Sequence, residues 1–256
     1  MIFDFHLHFP FGRSGSPKWK DEDFLDMMDS AGVAKGVIFT IDGFYTERYE
    51  VENEGLCEAA ERQPERWVPF CSVNPKQGKA AIKEAIRCFE QLRMPGMKLH
   101  PWIQGFHPIC KEMEEICEIA GHYRAPILFH DGTPPNSYPL IIGWLAEKHP
   151  ETTFILGHGG LFDLWQEAAV VVNRHANVYV CVCGTAPEGI FRKVVETVPS
   201  DRVLFGTDAG LSRDTYMAQF RTRIVKQMPL EESLRRKWLY ENADILLARS
   251  GIRSTK

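Results

Sequence analysis

The sequence predicts an α/β protein of the (β/α)8 (TIM) barrel class, one domain over residues 1–256, and three observations carry that prediction. Short apolar, β-branched or aromatic runs occur eight times along the chain. Segments with helical spacing lie between them. The 256 residues, 44% of them hydrophobic, match the size at which a single barrel of this kind buries its core.

The candidate strands are, in order, "IFDFHLH" from Ile2, "KGVIFT" from Lys35, "WVPFCSV" from Trp67, "GMKLH" from Gly96, "APILFHD" from Ala125, "TFILGHG" from Thr153, "NVYVCVC" from Asn177 and "RVLFGTD" from Arg202. Amphipathic helical segments include "DEDFLDMMDSAG" from Asp21, "GKAAIKEAIRCFEQL" from Gly78, "KEMEEICEIAGHY" from Lys111, "PLIIGWLAEKHP" from Pro139 and "PEGIFRKVVETVP". Two closing helices are expected over about residues 214–228 and 230–249. Strand followed by helix, repeated in this way, is the pattern of a parallel sheet closed into a barrel. No linker rich in Pro, Gly or Ser divides the chain, and the eightfold pattern belongs to the architecture, not to a sequence repeat.

Composition excludes several classes of function. A formal net charge of -4 with no block of like charges leaves no broad basic surface for nucleic acid. The first residues carry Asp4, His6 and His8 where a signal peptide needs a basic start and an unbroken apolar stretch, and no apolar run of membrane-spanning length follows. The expectation is a soluble, cytoplasmic protein with a small-molecule substrate and no membrane partner; a homodimer is left open. Seven scattered cysteines, an odd number, read as reduced thiols.

The ends of the strands carry the chemistry. Residues two apart on a strand share a face, so His6 and His8 project together; Phe3 and Phe5 suit the helix layer, which turns the two histidines toward the barrel interior. At the same level the other strands end in His100, His130, His158 and Asp208. In such barrels the site lies at the C-terminal ends of the strands. Imidazole nitrogens and a carboxylate converging there, with a water in the remaining position, make a catalytic site for a divalent ion.

The set "DFHLH", "GMKLHP", "ILFHDG", "ILGHGG" and "LFGTD" resembles the amidohydrolase superfamily, specifically its amidohydrolase-related (amidohydrolase 2) branch, over nearly the whole chain. The closing "ENADILL" resembles the ending of this branch, where the last helix packs on the barrel. By that resemblance His6, His8, His130 and Asp208 bind the metal, and His158 and Asp208 are catalytic. One divalent ion is implied, zinc first and manganese second. A second metal is not expected: the wider superfamily bridges two ions with a fourth-strand glutamate or carbamylated lysine, and this chain has Lys98 but no glutamate there.

Lys98 and His100 turn inward on the fourth strand, since Met97 and Leu99 suit the helix layer. Both are candidate substrate-binding residues, as is Arg13 in the long loop after the first strand. Cys181 and Cys183 alternate with valines and read as small barrel filling. The expected function is a metal-dependent hydrolase that activates water to cleave a C–N or C–O bond of a small organic substrate. The alternative is a nonoxidative decarboxylase of a small carboxylic acid, which the same branch supports with the same ligands. A TatD-type nuclease and a barrel without turnover stand behind these.

Overall fold

In a computed structural model, which describes residues 1–11, 18–183, 188–213 and 215–252, eight parallel strands follow one another around a single sheet in sequence order. They are β1 (Phe3–Phe9), β2 (Lys35–Thr40), β3 (Trp67–Cys71), β4 (Gly96–Leu99), β5 (Ile127–Phe129), β6 (Phe154–Leu156), β7 (Val178–Val182) and β8 (Val203–Phe205). The circle closes between β1 and the segment after β8, where the His8 amide donates to the Ala209 carbonyl at 2.8 Å and the Asp208 amide to the His6 carbonyl at 3.0 Å. The (β/α)8 barrel is therefore the observed fold.

The outer layer contains α1 (Asp21–Ala31), α2 (Gly43–Thr46), α3 (Tyr49–Arg62), α4 (Lys79–Glu90), α5 (Pro101–Gln104), α6 (Lys111–His122), α7 (Pro139–Lys148), α8 (Trp165–Arg174), α9 (Glu188–Thr197) and α10 (Tyr216–Gln227). The reason these segments are helical is visible in α1, which buries Phe24, Met27, Met28 and Ala31, the spacing of one helical face. It stops at Gly32, whose left-handed backbone (φ 74°) suits a residue without Cβ. The last expected helix is instead α11 (Glu232–Arg236), a π turn over Lys237–Glu241, and α12 (Asn242–Ala248). Asn242 donates to the carbonyls of Ser200 and Val203, both at 2.8 Å, and so ties α12 to the foot of β8. Among the described residues no helix is long and apolar enough to cross a membrane.

Two apolar cores flank the sheet. Leu7, Phe9, Met97 and Leu99 pack outward against the helices. Phe3, Phe5, Phe39, Phe70, Leu128, Ile155, Cys181, Cys183 and Leu204 fill the interior, with Ala243 and Leu246 of α12 joining them. The placement of Phe3 and Phe5 corrects the expectation that they face the helix layer. The pairing of β1 with β2 shifts register between Asp4 and Leu7, and this irregularity resets the alternation. Phe3 and Phe5 thereby fill the lower interior while His6 and His8 still point inward above them.

Candidate metal centre and active site

The β1 histidines meet Asp208 across the barrel seam. Nε2 of His8 lies 2.9 Å from Asp208 Oδ1, and Nε2 of His6 lies 3.4 Å from the same oxygen. Asp208 has a left-handed backbone (φ 61°), a conformation that aspartate tolerates better than most residues. Beneath it, the fully buried Asp4 clamps the seam: Oδ1 accepts from the His6 amide at 2.9 Å and the Thr207 amide at 3.0 Å, and Oδ2 accepts from the Thr207 hydroxyl. Gly206 is required by this closeness, because a Cβ there would stand 2.8 Å from the His6 Cβ and 2.7 Å from Cys181 Sγ.

The opposite wall comes from β4 to β7. Lys98 is wholly buried, with Nζ 3.2 Å from His6 Nε2 and 4.9 Å from the centre of the Phe39 ring. Among the described residues it forms no ion pair with a carboxylate. The His100 and His130 rings stack with centroids 3.7 Å apart and planes 10° from parallel. His130 Nε2 also lies 2.8 Å from the Thr133 hydroxyl. His158 packs between His6 and His130, at centroid distances of 4.8 and 4.5 Å. Its amide and that of Gly160 both donate to the buried Asp131 carboxylate at 2.6 Å, which fixes the "GHGG" turn.

Burial dominates the electrostatics. It holds His6 and His130 well below the usual imidazole range, His158 down at about 4 and His100 down at about 2, with the nearby Lys98 charge acting in the same direction. Burial likewise lowers Lys98 to about 8 and raises Asp4 to about 7 and Asp131 to about 6. Asp208 is the exception: burial pushes its carboxyl up, but the charges of His158 and His8 and the His8 hydrogen bond outweigh this and hold it at about 2. At neutral pH the neutral imidazoles of His6, His100, His130 and His158 thus stand beside the ionised Asp208 carboxylate and the Lys98 ammonium.

These residues fit a divalent ion. His6, His158, Cys183 and Asp208 each bring a ligand atom to within 4.8 Å of the others, and His8 meets the same Asp208 oxygen. The Nδ1 atoms of His6 and His8 are buried without a hydrogen-bond partner among the described residues. Imidazole and carboxylate donors suit zinc and manganese alike.

Of the residues singled out from the sequence, His6, His8, Lys98, His100, His130, His158 and Asp208 surround one mouth. His130 sits beside the tight donor group and not within it. Arg13 lies outside the described residues. The sequence reading missed Asp4, Asp131, Thr207 and Phe39 as supports, and it treated Cys183 as filling although its sulfur lies 3.4 Å from His158 Nδ1. Asp131 had a local signal, since it follows His130 in "HDG"; the partners of the others become visible only with the strand register.

A family model described as Amidohydrolase (Amidohydro_2) matches residues 3–248. No curated protein matches the chain. Among solved structures, the chain is similar to an amidohydrolase II protein, at 15% identity over 97% of this chain and 100% of that one, TM-score 0.78. It is similar to a 2,6-dihydroxybenzoate decarboxylase complexed with 2,6-dihydroxybenzoate, at 15% identity over 96% of this chain and 99% of that one, TM-score 0.76. A dihydroxybenzoic acid decarboxylase from Polaromonas sp. JS666, with bound manganese and 2-nitroresorcinol, aligns at 16% identity over 96% of each chain, TM-score 0.75. At such identities the structures establish the barrel, and the family match spanning β1 to α12 establishes the kinship: the chain belongs to the amidohydrolase family, in its amidohydrolase-related branch.

Proposed function

We propose that the chain is a metal-dependent nonoxidative decarboxylase of a small, ring-bearing carboxylic acid. The observation that carries this over the hydrolase is Lys98, a buried cation beneath the mouth with no carboxylate partner among the described residues. An ammonium so placed is suited to hold a substrate carboxylate, and the adjacent Phe39 ring and the stacked His100 and His130 plates offer flat faces to a ring. The decarboxylases among its structural neighbours support the same choice.

A divalent ion, when bound by His6, His8, His130 and Asp208, supplies Lewis acidity to a substrate oxygen. The chain's own groups do the rest. Lys98 orients the carboxylate, and His158, neutral at rest, takes a proton from a substrate hydroxyl or solvent and returns it to the ring carbon as the carbon–carbon bond breaks. The bonding pair stays with that carbon and carbon dioxide leaves, so atoms and charge balance. Burial holds His158 low, at about 4, so a proton placed on it is readily given up.

The test uses a panel of hydroxylated aromatic acids labelled with carbon-13 at the carboxyl, together with esters, lactones and amides, in oxygen-18 water. Labelled carbon dioxide with no oxygen-18 in the organic product supports the proposal. Oxygen-18 entering an acid product without release of carbon dioxide would return the hydrolase reading to first place.

A further inference from the structure

We propose that Cys183, at the end of β7, is a positioning residue that fixes the proton of neutral His158 on Nδ1 and leaves Nε2 as the proton acceptor. The assignment rests on the catalytic part given to His158 above, but its first readout needs no turnover.

The geometry carries the argument. Cys183 is fully buried, and its Sγ lies 2.9 Å from the Gly157 carbonyl oxygen and 3.4 Å from His158 Nδ1. A carbonyl oxygen only accepts, and a thiolate that close to it would be repelled, so the thiol donates its single proton to Gly157. The sulfur then turns only lone pairs toward Nδ1. Two facing lone pairs repel, whereas Nδ1–H to sulfur is a weak hydrogen bond, so the ring proton settles on Nδ1. A neutral imidazole has one such proton, and Nε2 is left bare.

The ring has little freedom to escape this arrangement. His6 and His130 pack on it at 4.8 and 4.5 Å between centroids, and the Asp131 carboxylate holds its backbone amide at 2.6 Å. The filling role read from the alternation of β7 thus understates Cys183: the strand that packs the interior with Cys181 delivers the next inward sulfur to the catalytic imidazole. For Cys183 to act as a metal ligand instead, its sulfur would have to give up both the proton and the contact with Gly157.

The experiment is long-range proton–nitrogen NMR of the histidine rings in the purified full-length enzyme labelled with nitrogen-15, with the His158 signals assigned by their absence in His158→Gln. The wild type is expected to show the Nδ1–H form at neutral pH. Cys183→Ser, whose hydroxyl can donate to Gly157 and accept from Nδ1, should keep that form; Cys183→Ala should lose it in part or whole while keeping a cooperative thermal transition. With an identified substrate, Cys183→Ala should lower kcat about tenfold or more with KM little changed, and Cys183→Ser should restore it. An Nε2–H ring in the wild type would overturn the proposal. So would an unchanged Nδ1–H ring in Cys183→Ala, which would assign the proton to the backbone. A sulfur-to-cobalt charge-transfer band in the cobalt-loaded protein, lost in Cys183→Ser, would make the cysteine a ligand and overturn it as well. The expected tautomer pattern with turnover indifferent to Cys183→Ala would support the positioning and remove the catalytic part of His158 instead.

Discussion

Lys98 shows how a buried charge can be costly to the fold and useful to the site. Its ammonium is desolvated and lowered to about 8 by burial, and replacing such a charge with an apolar group of similar volume is often neutral or stabilising. Lys98→Met should therefore keep or raise the thermal midpoint while raising KM for the carboxylate substrate by about 10- to 150-fold, the loss of one charge-assisted hydrogen bond of roughly 1.5–3 kcal/mol. Thermal melts beside initial-rate kinetics check both halves, and a fall in midpoint with unchanged KM would make Lys98 structural. At this scale the gathering of these side chains at one mouth was legible in residue type and phase: His6 with His8, Lys98 with His100, and Asp208 after "LFGT". What stayed hidden were partners brought together from afar. Cys183 meets a carbonyl 26 positions earlier and Asp4 a threonine 203 positions later, separations that no local pattern encodes.

Elements add constraints of their own. The irregularity in β1 could not be read from "FDFHLH", because strict alternation assigns Phe3, Phe5 and the histidines to opposite faces, and only the pairing with β2 reveals the shift. Of the helices not named from the sequence, the two longest have visible reasons: α8 contains the β-branched run Val170 to Val172, and α3 buries the polar Glu52 and Asn53. Asn53 explains itself in the structure, donating at 2.8 Å to Glu84 of α4, which also pairs with Arg87 at 2.7 Å. Burial raises the Glu84 carboxyl, and the hydrogen bonds from Arg87 and Asn53 outweigh it, so its folded value lies below the ordinary 4.5. That depressed value means the contribution is fully present above pH 4.5 and fades as pH falls through the folded value. Glu84→Gln should cost about 1.5–3 kcal/mol at neutral pH, and urea unfolding at neutral and acid pH should show the gap to wild type narrowing with acid. Gly206→Ala should cost about 1–3 kcal/mol by forcing β8 from His6. It should also weaken metal binding, measured by competition with a chelator; unchanged affinity would show that the seam can relax.

For the whole molecule, the eightfold alternation and the chain length made the barrel legible, since each amphipathic unit has only one economical way to bury its face. The substrate was not legible, because substrate choice belongs to loop shape and not to the fold. The barrel also predicts how the metal and stability are linked: an ion bound only by the folded state stabilises it by mass action. Chelation should lower the thermal midpoint and zinc or manganese should restore it, with little response in a His6→Ala, His8→Ala double variant. The most direct test of the central claim is the metal content, by mass spectrometry, of wild-type and double-variant protein purified without an affinity tag or added metal. The account predicts a single divalent ion per wild-type chain and its loss in the variant. Equal metal in both proteins, or none in the wild type even after reconstitution, would contradict it.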